Sequence, residues 1–118
     1  MSAFSRTALF AVKLLVPVCV LVATSGVSQA GDVKAGRAKA TMCQACHGLD
    51  GLSKTPDAPN IAGQPEPYLI AQLQAFKSGA RKNDAMSVVT PSLSDKDIED
   101  LAAYYSVIEI SVGKLPGG

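Results

Sequence analysis

The chain has no tryptophan, aromatic residues make up only 5% of it, and its 118 residues include a single histidine and three cysteines. So few aromatics exclude a core built from large rings. Three cysteines exclude a disulfide-dense scaffold. The formal net charge is +1, which argues against nucleic-acid binding, a function that normally carries a clear basic excess. The chain also lacks the low hydropathy and high charge of a disordered segment, being 47% hydrophobic and 18% charged. It has no internal repeat and no low-complexity tract. Its length suits one domain.

The first 30 residues have the layout of a secretory signal peptide. Arg6 and Lys13 give a positive start, an apolar run spans Leu14 to Ala23, and Thr24 to Ala30 ends in small residues. Cleavage is expected after Ala30, which divides the chain into a signal peptide at 1–30 and a mature domain at 31–118. The alternative is a retained membrane anchor. The strong apolar run is about ten residues, roughly half of what a ~30 Å hydrocarbon core requires, and Pro17 interrupts it. Cys19 would suit a lipid anchor only behind small residues. Val16-Pro17-Val18 are not small, so Cys19 is expected to leave with the signal. Residues 31–118 keep nine basic and ten acidic residues, and Cys43 and Cys46 are their only cysteines. A domain of this size buries only ~60–65% of its unfolded surface and is marginal without a staple. No second disulfide is available, so something else must enlarge the core.

The periodicity predicts an all-α domain of three main helices joined by long Gly- and Pro-rich loops. The first runs from Asp32 to Cys43, with Asp32 as N-cap and Gly36 inside it. That glycine costs about 1 kcal/mol relative to Ala, a cost most readily accepted where another backbone comes close. The second runs from Glu66 to Ser78. Leu69, Gln72, Leu73 and Phe76 share a face, with prolines at the start and Gly79 as the stop. The third opens on the capping pair Ser94 and Asp97, with Leu93 placed to staple against Ile98. Its apolar stripe is Ile98, Leu101, Ala102, Tyr105 and Ile108. Asp95, Asp97, Glu99 and Asp100 load the positive end of its dipole. Ser87 to Thr90 is the one β-like run. The segments 48–64 and 79–92 read as loops long enough to wrap something.

Cys43-Gln44-Ala45-Cys46-His47 reads C-x-x-C-H, the attachment signature of c-type haem. Two thiols about one helical turn apart each reach one vinyl group of the porphyrin, and the next residue aims its imidazole at the iron. Structural zinc wants four ligands, and only Cys43, Cys46 and His47 are at hand. A redox Cys pair belongs beside a strand–helix unit, and none precedes Cys43. The match to a caspase string fails at the residue after the cysteine, and no upstream histidine exists to act as base. A plain disulfide leaves the adjacent histidine unexplained. One haem c, covalent through Cys43 and Cys46, also answers the thin core by adding a large apolar disc.

The sixth ligand decides between electron transfer and an open site. Met1 leaves with the signal and Met42 adjoins Cys43, so Met86 is the remaining thioether. An open site, or ligation by Lys82 or another group, stays as the alternative. The ligating histidine normally donates its other N–H to a carbonyl. Pro59 is the candidate, unless it is simply a turn residue. Gly48 and Gly51 suit tight turns at the haem edge. Lys77, Arg81 and Lys82 form a basic group that either meets a partner or a haem propionate, or balances the end of the second helix.

At these residues the sequence resembles the class I cytochromes c, closest to the small bacterial periplasmic proteins of the c-553 and c-4 type. The similarity covers nearly all of residues 31–118. It rests on Gly31-Asp32-Val33 with Gly36, the C-x-x-C-H with Gly48 and Gly51, and Pro59-Asn60-Ile61-Ala62-Gly63-Gln64. Tyr68, Gln72-Leu73, Phe76, Gly79 and Met86 continue it, and Leu93-Ser94-Asp95 with Asp97 to Tyr105 close it. The resemblance implies a cytochrome c fold with the first and third helices crossing near Gly36 and the Tyr104/Tyr105 turn. It assigns Cys43 and Cys46 to thioethers, His47 and Met86 to iron, and the Pro59 carbonyl to the His47 ring. Many c-4 proteins carry two such domains, whereas this chain holds one motif, so haem-to-haem transfer within it is not expected.

The implied function is that of a soluble monohaem electron carrier of the periplasm, not an enzyme. Its expected partners are redox proteins such as a dehydrogenase, a membrane cytochrome complex or a terminal oxidase. Neither nucleic acid nor membrane insertion after signal cleavage is expected, and the state is monomer or weak dimer. A haem subunit of a dedicated dehydrogenase is the second expectation. An open-haem enzyme or gas sensor is the third, and Met86 argues against it. The near-zero charge implies weak electrostatic steering toward partners.

Overall fold

In the computed structural model, residues 30–117 are described. The expected signal peptide, with Arg6, Lys13 and Cys19, lies outside them apart from its last residue, Ala30. The described residues form five helices and two single 3₁₀ turns, with no strand among them.

Helix α1 spans Val33–Lys39. The Asp32 carboxylate caps it by accepting from the backbone N–H groups of Lys34 at 2.8 Å and Ala35 at 3.1 Å. The expected continuation to Cys43 is not regular. The chain tightens into a 3₁₀ turn at Ala40–Met42, where the Cys43 N–H returns to the Ala40 carbonyl at 2.9 Å. It then restarts as α2, the single turn Gln44–His47. Helix α3 has the predicted bounds, Glu66–Ser78, and ends on Gly79 in the left-handed region at φ 78°.

The β-like run is helical. Helix α4 covers Met86–Val89, followed by a 3₁₀ turn at Thr90–Ser92. The reason is local capping, which overrides the β preference of two valines. The Asn83 side-chain oxygen accepts from the N–H groups of Ala85 and Met86. The Ser87 hydroxyl accepts from the Asn83 N–H in return. The 79–92 segment is therefore only partly loop.

Helix α5 spans Asp95–Ser106 and opens with the full reciprocal capping box between Ser94 and Asp97. Leu93 and Ile98 are both buried in one cluster with Ala40, Leu69, Leu101, Ala102 and Tyr105. Ile108 lies beyond the helix end but still packs on that cluster, half-buried.

Helices α1 and α5 approach each other closely. A Cβ on Gly36 would sit 1.9 Å from the Asp100 carbonyl oxygen and 2.8 Å from the Tyr104 Cβ. The helical glycine is thus explained by backbone contact, as expected. Asp100 does more than balance a dipole. It is buried, accepts from the Asp32 N–H at 2.6 Å and pairs with Lys96.

Asp97 pairs with Lys39 across the same crossing at 2.8 Å. That lysine, with the Ser94 N–H and hydroxyl, holds the Asp97 carboxyl down to about 2. A depressed carboxyl stabilises the fold above its unfolded value and loses that contribution as pH falls through the folded one. Stability is therefore expected to fall between about pH 4 and 2. An Asp97→Asn variant, followed by thermal unfolding, should be less stable at neutral pH and lose part of that acid dependence. An unchanged acid profile would contradict it.

Candidate functional site

The C-x-x-C-H segment closes on itself as one helical turn. The Cys43 carbonyl accepts from the N–H of His47 at 2.9 Å and, more weakly, from that of Cys46 at 3.3 Å. A spacing of three puts both thiols on one side of the turn. Cys46 is exposed and Cys43 half-buried. Burial pushes the Cys43 thiol up to about 11.

His47 is buried, at 8% exposure. Its Nδ1 lies 2.9 Å from the Pro59 carbonyl oxygen. A carbonyl only accepts, so Nδ1 is the donor in this bond, which leaves Nε2 as the nitrogen that could bind a metal. The structure therefore brings together Cys43, Cys46, His47 and Pro59.

The segment between His47 and Gly63 is braced rather than loose. Gly48 and Gly51 turn it in the left-handed region at φ 71° and 68°. The Gly51 carbonyl accepts from the Ile61 and Ala62 N–H groups, and the Cys46 carbonyl accepts from the Lys54 N–H at 2.8 Å. The Ser53 N–H donates to the Asn60 side chain at 2.7 Å. Two tyrosines of α5 reach this segment. The Tyr104 hydroxyl donates to the Leu49 carbonyl at 2.7 Å and the Tyr105 hydroxyl to the Gly48 carbonyl at 3.1 Å. Burial raises the Tyr105 hydroxyl above its ordinary range. Sequence reasoning placed these tyrosines only in helix packing. Their adjacency on the last helix was the available signal, but their acceptors are 55 and 57 residues away.

Met86 stands on a separate element, as the first residue of α4, half-buried. Its carbonyl accepts from the hydroxyl of the fully buried Thr90 at 2.8 Å, and its N–H donates to Asn83. Its backbone is thus tied to the buried Thr90 and to Asn83. The basic group is largely engaged within the chain. Lys77 pairs with Asp95 at 2.8 Å, and the Arg81 guanidinium lies 4.6 Å from the Phe76 ring centroid and donates to Gln72.

The donor set fits a covalently tethered haem. It offers two thiols one turn apart and an imidazole whose tautomer is fixed by a carbonyl. The packing fits too: of the ten buried apolar residues, four are alanines, so the protein's own core is thin. Among the described residues no cluster of His, Cys, Asp and Glu suits a bare metal ion.

Residues 33–106 match the family model for cytochrome c. The chain is 44% identical over 102 residues to cytochrome c4 of Pseudomonas aeruginosa, covering 86% of this chain and 51% of that protein. Against cytochrome c-554(548) of Halomonas halodenitrificans the identity is 46% over 80 residues, covering 65% of this chain and 96% of the relative. A thiosulfate dehydrogenase electron acceptor from Thiomonas intermedia is 42% identical over 74 residues, covering 62% and 34%. The crystal structure of reduced recombinant cytochrome c4 from Pseudomonas stutzeri superposes with a TM-score of 0.65 at 46% identity, covering 71% of this chain and 49% of that one. The chain thus spans about half the length of the cytochrome c4 relatives. With residues 33–106 matched by the family model and these relatives above 40% identical, the chain belongs to the cytochrome c family, a class I c-type cytochrome whose cofactor is haem c held covalently through its Cys43–Cys46 pair.

Proposed function

We propose that the chain is an exported monohaem electron carrier of the periplasm, working as residues 31–118 after removal of the first 30. The observation that carries this reading is the 2.9 Å bond between His47 Nδ1 and the Pro59 carbonyl, beside the two thiols of the same turn. One C-x-x-C-H in the chain supports a single haem. No described helix is long and apolar enough to cross a membrane.

The bound haem supplies a one-electron Fe(III)/Fe(II) couple. Cys43 and Cys46 tether it. His47 Nε2 would donate to the iron, with its ring held by the Pro59 carbonyl, which also raises the basicity of the ring. Met86, at the start of α4, would be the second donor. Two retained donors mean little rearrangement between oxidation states, and they exclude outside ligands. Redox proteins are the proposed partners, approaching the exposed Cys46 side.

The test is the holoprotein itself. Its mass is expected to equal residues 31–118 plus one haem, its redox titration to follow a single one-electron step, and its reduced form to ignore carbon monoxide. Rapid carbon monoxide binding would replace this reading with an open-site one.

A second reading has specific support. The Thiomonas intermedia relative is named as the electron acceptor of a thiosulfate dehydrogenase, which favours a haem subunit with one obligate partner. Stoichiometric co-purification with a dehydrogenase from native cells would select it, and isolation of the free chain would select the shuttle.

A further inference from the structure

We infer that Tyr105 is a positioning residue for the axial histidine, because its hydroxyl and its own carbonyl hold the two ends of the segment that aims the His47 ring. The inference rests on the proposed ligation by His47. The hydroxyl donates to the Gly48 carbonyl at 3.1 Å, directly after the histidine. The Tyr105 carbonyl accepts from the Gly63 N–H at 2.9 Å, near the far end of the same segment. Between these two anchors lies Pro59, whose carbonyl receives the His47 Nδ1–H.

Separation matters here. His47 and Pro59 are 12 residues apart, so their bond keeps its length only while the intervening chain keeps its shape. The pins inside the segment, at Gly51 and between Ser53 and Asn60, set its internal shape. They do not set its orientation against the rest of the protein. Tyr105 does, because it sits buried in the core on α5. Tyr104 adds a bond to the Leu49 carbonyl at 2.7 Å, but it grips one end only. A longer Nδ1–H bond makes the imidazole a weaker donor to iron, which favours the reduced state.

The experiment compares holoprotein variants Tyr105→Phe and Tyr104→Phe with the parent, using NMR exchange of the His47 Nδ1–H and the reduction potential. Tyr105→Phe keeps the packing and removes only the donor. Exchange is expected to quicken about 2- to 10-fold, as for the loss of one hydrogen bond's net contribution, and the potential to shift positive. Tyr104→Phe should shift both less. Replacing the Tyr105 ring by 3-fluorotyrosine makes the hydroxyl a stronger donor and should slow the exchange. A lower melting temperature with both readouts unmoved in all three proteins would overturn the inference and leave Tyr105 as packing alone. Hyperfine-shifted His47 resonances in the oxidised parent separate the two claims. Their absence rejects ligation by His47, whereas their presence with unmoved variants rejects the role of Tyr105 only.

Discussion

Gly36→Ala is expected to lower the stability of the holoprotein by about 3 kcal/mol or more, at or above the upper end of the usual cost of overpacking. The added Cβ would fall 1.9 Å from the Asp100 carbonyl oxygen. That oxygen belongs to the backbone of α5 and cannot swing aside as a side chain would. Relief requires the two helices to separate, which loosens the Asp32–Asp100 bond and the Lys39–Asp97 pair as well. The strain is steric alone, because Gly36 has no positive φ. Gly79 is the opposite case. Nothing lies within 4 Å of an added Cβ there, but its φ is +78°, so Gly79→Ala should cost only about 1–2 kcal/mol. Against a total of roughly 5–15 kcal/mol for a small domain, the first loss is severe and the second is tolerable. Denaturant unfolding of both variants decides it; equal costs would rule out so tight a crossing at Gly36.

Met86→Ala is expected to remove the weak sulfur–iron band at the red edge of the oxidised spectrum. The potential should fall by on the order of 0.1–0.3 V, a fraction of the roughly 0.8 V that axial ligation spans. A thioether is a soft donor that favours the reduced state, and its loss also opens a coordination position. Fast carbon monoxide binding by the reduced variant should therefore appear. The fold should survive, since Met86 is held by its backbone to Asn83 and Thr90 and its side chain is only half-buried. Survival of the band would exclude Met86 and direct attention to another donor such as Lys82.

Much of this was legible in the residues, for identifiable reasons. Ser94, Asp97, Leu93 and Ile98 act within a few residues of one another, so the start of α5 could be read directly. Pro65, Pro67 and Gly79 bracket α3 in the same way. Cys43, Cys46 and His47 form one turn, and a five-residue motif carries its own geometry. What escaped was either ambiguous or remote. The two valines of α4 favour a strand by branching, and the side-chain bonds of Asn83 and Ser87 draw them into a helix instead. The break at Cys43 follows a run of helix-favouring alanines that hides it. Asp100 reads as one acid among four, because the N–H that it receives is 68 residues away. The hydroxyls of Tyr104 and Tyr105 are hidden for the same reason.

That separation bears on how the molecule comes into being. A polypeptide that emerges amino end first presents its cysteine turn before the residues of α5 that latch onto it. Asp32 waits for Asp100, and the turn around Gly48 waits for Tyr105. Until then the closing entropy of the long chain has no compensating contact. On that ground the two thiols are expected to stay reachable until α5 has been made and packs over their turn.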